Sequence, residues 1–262
     1  MRRSALLLLV AALTATGCAA GAAGAGHHPA RANPDPGCEA PRRGKLADHD
    51  PRCLRLSTAT AEPAVAVAAA APGFRWRILG IGPRTTARMA RSWRPGCPVE
   101  LADLRRLLLD HWGFDGHVHR GELVVHRNYA RRIVAVFHKL FKARYRIQRM
   151  HLVDVYGADD DRSMAANNSS GFNCRFVSGT RRWSEHARGR AIDLNPLVNP
   201  YVTRDGRVSP RGGRPYANRS VRAPGMIHHG GVVVRAFAAA GWPWGGHWTG
   251  AKDYQHFSAT GR

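Results

Sequence analysis

Acidic residues are scarce in this chain. Asp and Glu number 18 against 40 Lys and Arg, leaving a formal charge of +22 over 262 residues. A field of that sign draws a protein toward polyanions and away from cationic partners. Long apolar runs are missing as well: Ala5 to Leu13 is too short to cross a bilayer as a mature helix. Cysteines are few, at five, and none forms a CxxC pair, which excludes a thiolate-built structural zinc site. No internal repeat is present, so a solenoid is excluded. No compact Lys/Arg block interleaves with aromatics as a nucleic-acid surface would. The acidic run Asp159–Asp161 lacks the downstream ligands of an EF-hand and reads as a solvated or capping run.

What is present begins with an export pattern. Met1-Arg2-Arg3-Ser4 is positive, Ala5–Leu13 is apolar, and Ala15-Thr16-Gly17 are small residues leading to Cys18. That order predicts a signal peptide over 1–17. Its end resembles a bacterial lipobox, whose cysteine is lipidated and becomes the new N-terminus; Ala15 stands where leucine is usual. Such an anchor would be the chain's link to a membrane. Four further cysteines, Cys38, Cys53, Cys97 and Cys174, form an even set that can pair completely in an oxidising compartment. Three connectivities are open, and Cys38 with Cys53 plus Cys97 with Cys174 is the one favoured here.

Residues 18–73 are rich in Ala, Pro and Gly and read as a tether, with a small disulfide loop between Cys38 and Cys53 as its folded part. Hydrophobic residues make up 44% of the sequence, enough for a packed core in the domain expected over 74–262. Leu101, Leu104, Leu107 and Leu108 recur at helical spacing behind Pro98, which predicts a helix over 98–112. Residues 121–126 read as a strand. Ile133, Val134, Phe137, Leu140 and Phe141 form the apolar stripe of a helix over 128–144. Strands are expected at 150–156, 189–195 and 253–258, a polar loop over 157–173, and a helix over 232–240 ended by Gly241 and Pro243. The elements intermix without βαβ spacing, so the fold class is α+β.

The chemistry concentrates in two segments. Ser184-Glu185-His186-Ala187-Arg188-Gly189-Arg190-Ala191-Ile192-Asp193 sets a histidine and an aspartate around small residues, which would let the backbone pass close to a metal. If 191–195 is a strand, Ile192 and Leu194 face the core and Asp193 faces away. The second segment runs from Trp244-Gly245-Gly246 to Asp253-Tyr254-Gln255-His256. Asp253 and His256 have the wrong parity for one face of a flat strand, so Asp253 is expected in a turn leading into it.

These residues resemble the D-alanyl-D-alanine metallopeptidases, which include D,D-carboxypeptidases, vancomycin-resistance dipeptidases and L-alanyl-D-glutamate endopeptidases. The pattern Ser-x-His-x-x-Gly-x-Ala-x-Asp followed by an acidic-x-x-His near Trp-Gly-Gly carries the resemblance, over about residues 98–262. It implies a single catalytic domain of the hedgehog/D,D-peptidase kind, with flanking helices and a small antiparallel sheet carrying one zinc ion. By that resemblance His186, Asp193 and His256 hold the metal. Asp253 is the base that takes a proton from the attacking water, and Arg175 steadies the scissile carbonyl oxygen. Ser184, and Ser163 in a substrate loop over 159–168, contact substrate. The implied function is hydrolysis of a peptide bond in the peptidoglycan stem peptide, with D-alanyl-D-alanine carboxypeptidase the leading reading. An L-alanyl-D-glutamate endopeptidase and a zinc-holding module that binds wall without cutting it are the alternatives. The implied partners are stem peptides and anionic wall polymers, with no nucleic acid, and the implied location is the cell envelope or beyond.

Overall fold

The computed structural model describes residues 73–262. The export signal, Cys18, the tether and the Cys38–Cys53 loop lie outside the described residues. Among those described, no helix is long and apolar enough to cross a membrane.

The first part of the fold is an antiparallel sheet with one helix on its face. Strand β1 (Trp76–Gly80) is followed by helix α1 (Pro83–Arg88), then β2 (Leu104–Trp112), β3 (Val118–His126) and helix α2 (Ala130–Lys142). Strand order is β1-β2-β3. The apolar stripe of α2 is as its sequence predicts: Ile133, Val134, Phe137, Leu140 and Phe141 are all buried, and with Leu107, Leu109, Leu123 and Val125 of the sheet they make the main core.

The segment 98–112 is not a helix. A short 3-10 turn at Leu101–Asp103 leads into β2, which lies at the centre of the sheet. Nine residue pairs tie it to β3 and five to β1. The leucines misled because β2 is covered on both faces. Leu107 and Leu109 pack toward α2, while Leu104 belongs to a second cluster with Met89, Cys97, Val124 and Phe172. Two-sided burial erases the in-out alternation of a strand and leaves an apolar run that mimics helical spacing.

The second part is built of short pieces. Strand β4 (Arg149–Met150) pairs in parallel with β5 (Asn168–Ser169), and helix α3 (Asp160–Ala165) lies between them. The expected strand over 150–156 is thus confined to its first residue: Val153–Tyr156 coils into a 3-10 turn closed by Gly157 at φ 76°. The expected loop over 157–173 contains α3, whose N-cap is Asp159, accepting from the Arg162 N–H at 3.0 Å. Strand β6 (Ala191–Asp193) is followed by β7 (Tyr201–Val202), β8 (Val208–Ser209), α4 (Arg214–Ala217), α5 (Val232–Ala238), β9 (Lys252–Asp253) and β10 (His256–Ser258). Strands β6 and β10 pair antiparallel, and β9 pairs separately with β7. Helix α5 packs on α2, and Phe237 stacks on Phe257 with ring centroids 4.1 Å apart. Helices mixed with small, mainly antiparallel sheets and no barrel make this an α+β fold.

A disulfide joins Cys97 to Cys174 across 77 residues of sequence, as favoured from the sequence. It sits in the second cluster beside Phe172 and ties the segment before β2 to the segment that leads to Arg175. Closing so long a loop stabilises chiefly by restricting the unfolded chain. Replacing both cysteines with alanine is expected to lower unfolding free energy by roughly 3–5 kcal/mol, read from urea denaturation.

Candidate metal centre

Register places the first pair of site residues. In the β6–β10 ladder Asp193 stands directly opposite His256, and Ile192 opposite Phe257. Ile192, Leu194 and Phe257 point into the core, fully buried, so Asp193 and His256 take the opposite face together. On its other side Asp193 exchanges backbone hydrogen bonds with Ser170, at 2.9 and 3.0 Å, which fixes β6 from both edges. His186 arrives on a 3-10 turn over His186–Arg188. Gly189 ends that turn at φ 63°. The glycine serves the sheet rather than a metal: a Cβ there would lie 2.6 Å from the His126 amide nitrogen, and its carbonyl accepts from that amide at 2.8 Å.

One ligand atom from each of His186, Asp193 and His256 lies within 4.8 Å of the other two, and all three residues are buried. The tautomers follow from the partners. His186 Nδ1 faces the Gly171 carbonyl at 2.6 Å, so the N–H sits on Nδ1 and the lone pair on Nε2. His256 Nε2 faces the Arg262 carbonyl at 2.9 Å, leaving the lone pair on Nδ1. Those two lone-pair nitrogens are 3.3 Å apart. His186 Nε2 is 3.1 Å from Asp193 Oδ2, and His256 Nδ1 is 2.9 Å from Asp193 Oδ1. Once His256 Nδ1 gives up its proton, three acceptors converge with no donor among them, an arrangement that a cation would satisfy. The Gly171 and Arg262 carbonyls, which orient the two rings, complete the fit.

Burial pushes the Asp193 carboxyl up, but the charge and hydrogen bonds of the two histidines outweigh it and hold it well below the usual range. Burial draws His256 down, yet the hydrogen bond and charge of Asp193 raise its imidazole to about 9. Proton and metal ion compete for the same nitrogen.

Asp253 ends β9, and the chain turns through Tyr254 and Gln255 before β10 begins. The sequence expectation of one strand over 253–258, with a turn at Asp253, becomes two strands with the break just after it. That break answers the parity mismatch. Gly245 shows how close the pieces lie: a Cβ there would meet the Asp253 Cβ at 2.9 Å and the His256 Cβ at 3.3 Å. The first glycine of Trp-Gly-Gly is needed for this approach. Asp253 Oδ1 is buried without a hydrogen-bond partner. Burial pushes its carboxyl up to about 7, with His256 pulling it down and Asp193 adding to the rise.

Arg175 lies near the cluster, held by Asp160 at the start of α3: Nη2 to Oδ2 is 2.7 Å. Burial raises the Asp160 carboxyl and Arg175 lowers it, while Asp193 and His186 also act on it through their charge. Ser184 is buried beside His186, and its Oγ accepts from the His186 amide at 3.2 Å. Ser163 is the buried residue of α3, and its Oγ accepts from Asn168 Nδ2 at 3.0 Å. Each hydroxyl keeps its own proton to donate.

Three contributors were not singled out in the sequence. Asp160 sat inside an acidic run read as solvated or capping; only Asp159 caps. Gly171 supplies the carbonyl that sets the His186 tautomer, and a Cβ there would lie 2.4 Å from the Val124 carbonyl oxygen. Asn195, two residues past β6, is in a left-handed conformation at φ 45°. Its Nδ2 donates to the Arg146 and Gly225 carbonyls at 2.9 and 3.2 Å, and its Oδ1 accepts from the Gln148 amide at 3.0 Å.

Residues 178–259 match the family model of D-alanyl-D-alanine carboxypeptidase. The matched segment contains Ser184, His186, Asp193, Asp253 and His256, and it is shorter than the 98–262 over which the sequence resemblance was drawn. No curated protein and no solved structure matches the chain.

Titration with zinc at pH 7 should displace about one proton from the His256 site, measured by calorimetry in buffers of differing ionisation heat; proton-neutral binding is the contrary result. Gly171→Ala should weaken metal affinity by roughly 10- to 100-fold, because it displaces the carbonyl that orients His186.

Proposed function

We propose that the chain is a zinc peptidase that hydrolyses a peptide bond in the peptidoglycan stem peptide, as a D-alanyl-D-alanine carboxypeptidase. The observation that carries the hydrolytic reading is Asp253: a buried carboxylate oxygen without a partner, beside a three-ligand cluster. A module that merely holds metal has no use for it. Two imidazoles and one carboxylate form a donor set suited to zinc. His186 Nε2, His256 Nδ1 and the Asp193 carboxylate would hold the ion. When bound, zinc supplies Lewis-acid chemistry, acidifying water and polarising a carbonyl.

The chain's own residues do the rest. Asp253 accepts the proton of the attacking water and passes it to the leaving amine. Arg175 keeps a permanent positive charge and a rigid fork of donors, suited to the oxygen that becomes negative as the carbonyl is attacked. Asp160 positions that guanidinium. Ser184 and Ser163 are assigned to substrate through their free hydroxyl protons. An exported enzyme at the cell envelope accords with this substrate and with the N-terminal pattern of residues 1–18.

Purified muropeptides incubated with the zinc-loaded protein should lose a terminal D-alanine from pentapeptide stems, detected by mass spectrometry. A cut between L-alanine and D-glutamate would move the assignment to the endopeptidase; no cleavage with zinc bound would sink the enzyme reading. Asp253→Asn should reduce kcat by on the order of 10²- to 10⁴-fold while zinc still binds. Arg175→Ala should cost roughly 10²- to 10³-fold in kcat, and Asp160→Asn a smaller loss through its hold on Arg175. A base must be ionised to act, so activity should fall as pH drops through the Asp253 pKa. That limb should lie at or below about 7, because the bound cation favours the carboxylate. A rate that shows no acid limb down to the pH at which zinc is released would remove Asp253 from the role.

A further inference from the structure

A groove of about 570 Å³ lies between β1 and the start of α2, lined by Trp76, Ile78, Arg105, Arg127, Asn128 and Arg131. It shares no residue with the metal centre. Strand β1 is the edge of its sheet, and Trp76 on it is 48% exposed, an uncommon place for an indole without a ligand to meet. Three guanidiniums line the groove. Among the described residues only Arg127 has a carboxylate partner, Asp103 at 3.1 Å, and that pair is well exposed. Arg105 Nη1 donates to the Ala102 and Leu104 carbonyls at 2.8 Å, which holds its side chain without cancelling its charge. Arg131 is exposed and pairs with no acid among the described residues.

We propose that this groove binds an anionic wall polymer made of phosphodiester-linked sugar or polyol units. The chemistry has two halves. Guanidinium forks match phosphate oxygens bidentately. An exposed indole face takes the apolar side of a sugar or polyol, and Asn128 adds a donor and an acceptor for hydroxyls. A single aromatic does not provide the succession of stacking platforms that a single-stranded nucleic acid uses. Ile78 alone gives too little apolar surface for insertion into a membrane. The chain's net charge of +22 supplies long-range attraction, and the groove supplies the contact. The choice of a wall polymer as occupant rests on the location that the peptidase reading implies; binding is read without cleavage, so loss of either is told apart.

The test is binding of the full chain to poly(glycerol phosphate) of defined length, by fluorescence anisotropy at two salt concentrations. Arg105→Ala/Arg127→Ala/Arg131→Ala should weaken binding by roughly tenfold or more and flatten its salt dependence. Trp76→Ala should weaken it several-fold with the salt dependence unchanged. Removing equal charge elsewhere, with Arg211→Ala/Arg214→Ala/Arg222→Ala, should change binding by less than about twofold. Equal losses from both triple variants would mean unspecific attraction and overturn the proposal, as would an unchanged Trp76→Ala. Tighter binding to single-stranded DNA or anionic vesicles of matched charge would overturn it too. If the groove triple variant does not fold, Arg131→Glu carries the same test, with a loss of at least tenfold expected.

Discussion

The register of the β6–β10 ladder is the constraint on which the site depends. Setting Asp193 opposite His256 puts a carboxylate and an imidazole on one face of a two-stranded sheet whose other face is the core. A slip of one residue in either strand would turn that strand's ligand into the hydrophobic interior and bring Ile192 or Phe257 out, so the pair would no longer share a face. The burial of Ile192, Leu194 and Phe257 therefore enforces the metal geometry as well as stability. Backbone exchange between Asp193 and Ser170 pins the same strand from the other edge. His186 then needs only a 3-10 turn to reach the pair.

Buried nitrogens and a carboxylate at hydrogen-bond distance need a proton or a cation between them. The surrounding structure holds them in place. Gly171 and Arg262 carbonyls fix both imidazole N–H groups on the outer side. Gly171 has no room for a side chain against β3, and the Cys97–Cys174 disulfide anchors the segment three residues further on. Arg175 follows directly, with Asp160 holding its guanidinium. One covalent tie thus helps to place a tautomer-setting carbonyl and a charged side chain. The groove at β1 lies outside this framework, and its arginines are on the surface rather than in the core.

Legibility followed how local each feature was. Helix α2 was readable because one face is buried and one is solvated, so its stripe survives in the sequence. Strand β2 was not, since both of its faces are covered and its leucines lose their alternation. The turn at Val153–Tyr156 and helix α3 were missed because they are held by caps and by contacts with distant segments. Gly189 was seen, but its reason was misread: it accommodates His126 of β3, a neighbour only in space.

The sequence by itself named His186, Asp193 and His256 as residues that could hold a metal, and the acidic residue three places before His256. Side-chain chemistry and short spacings are properties of the chain alone. It also determined the apolar parity that turns Asp193 away from the core. Only the tertiary structure decided that Asp193 meets His256 across 63 residues, that Asp253 closes one strand before another begins, and that Asp160, half-buried, holds Arg175. Those are long-range pairings, and they are set by which buried faces and backbone hydrogen bonds can be satisfied together.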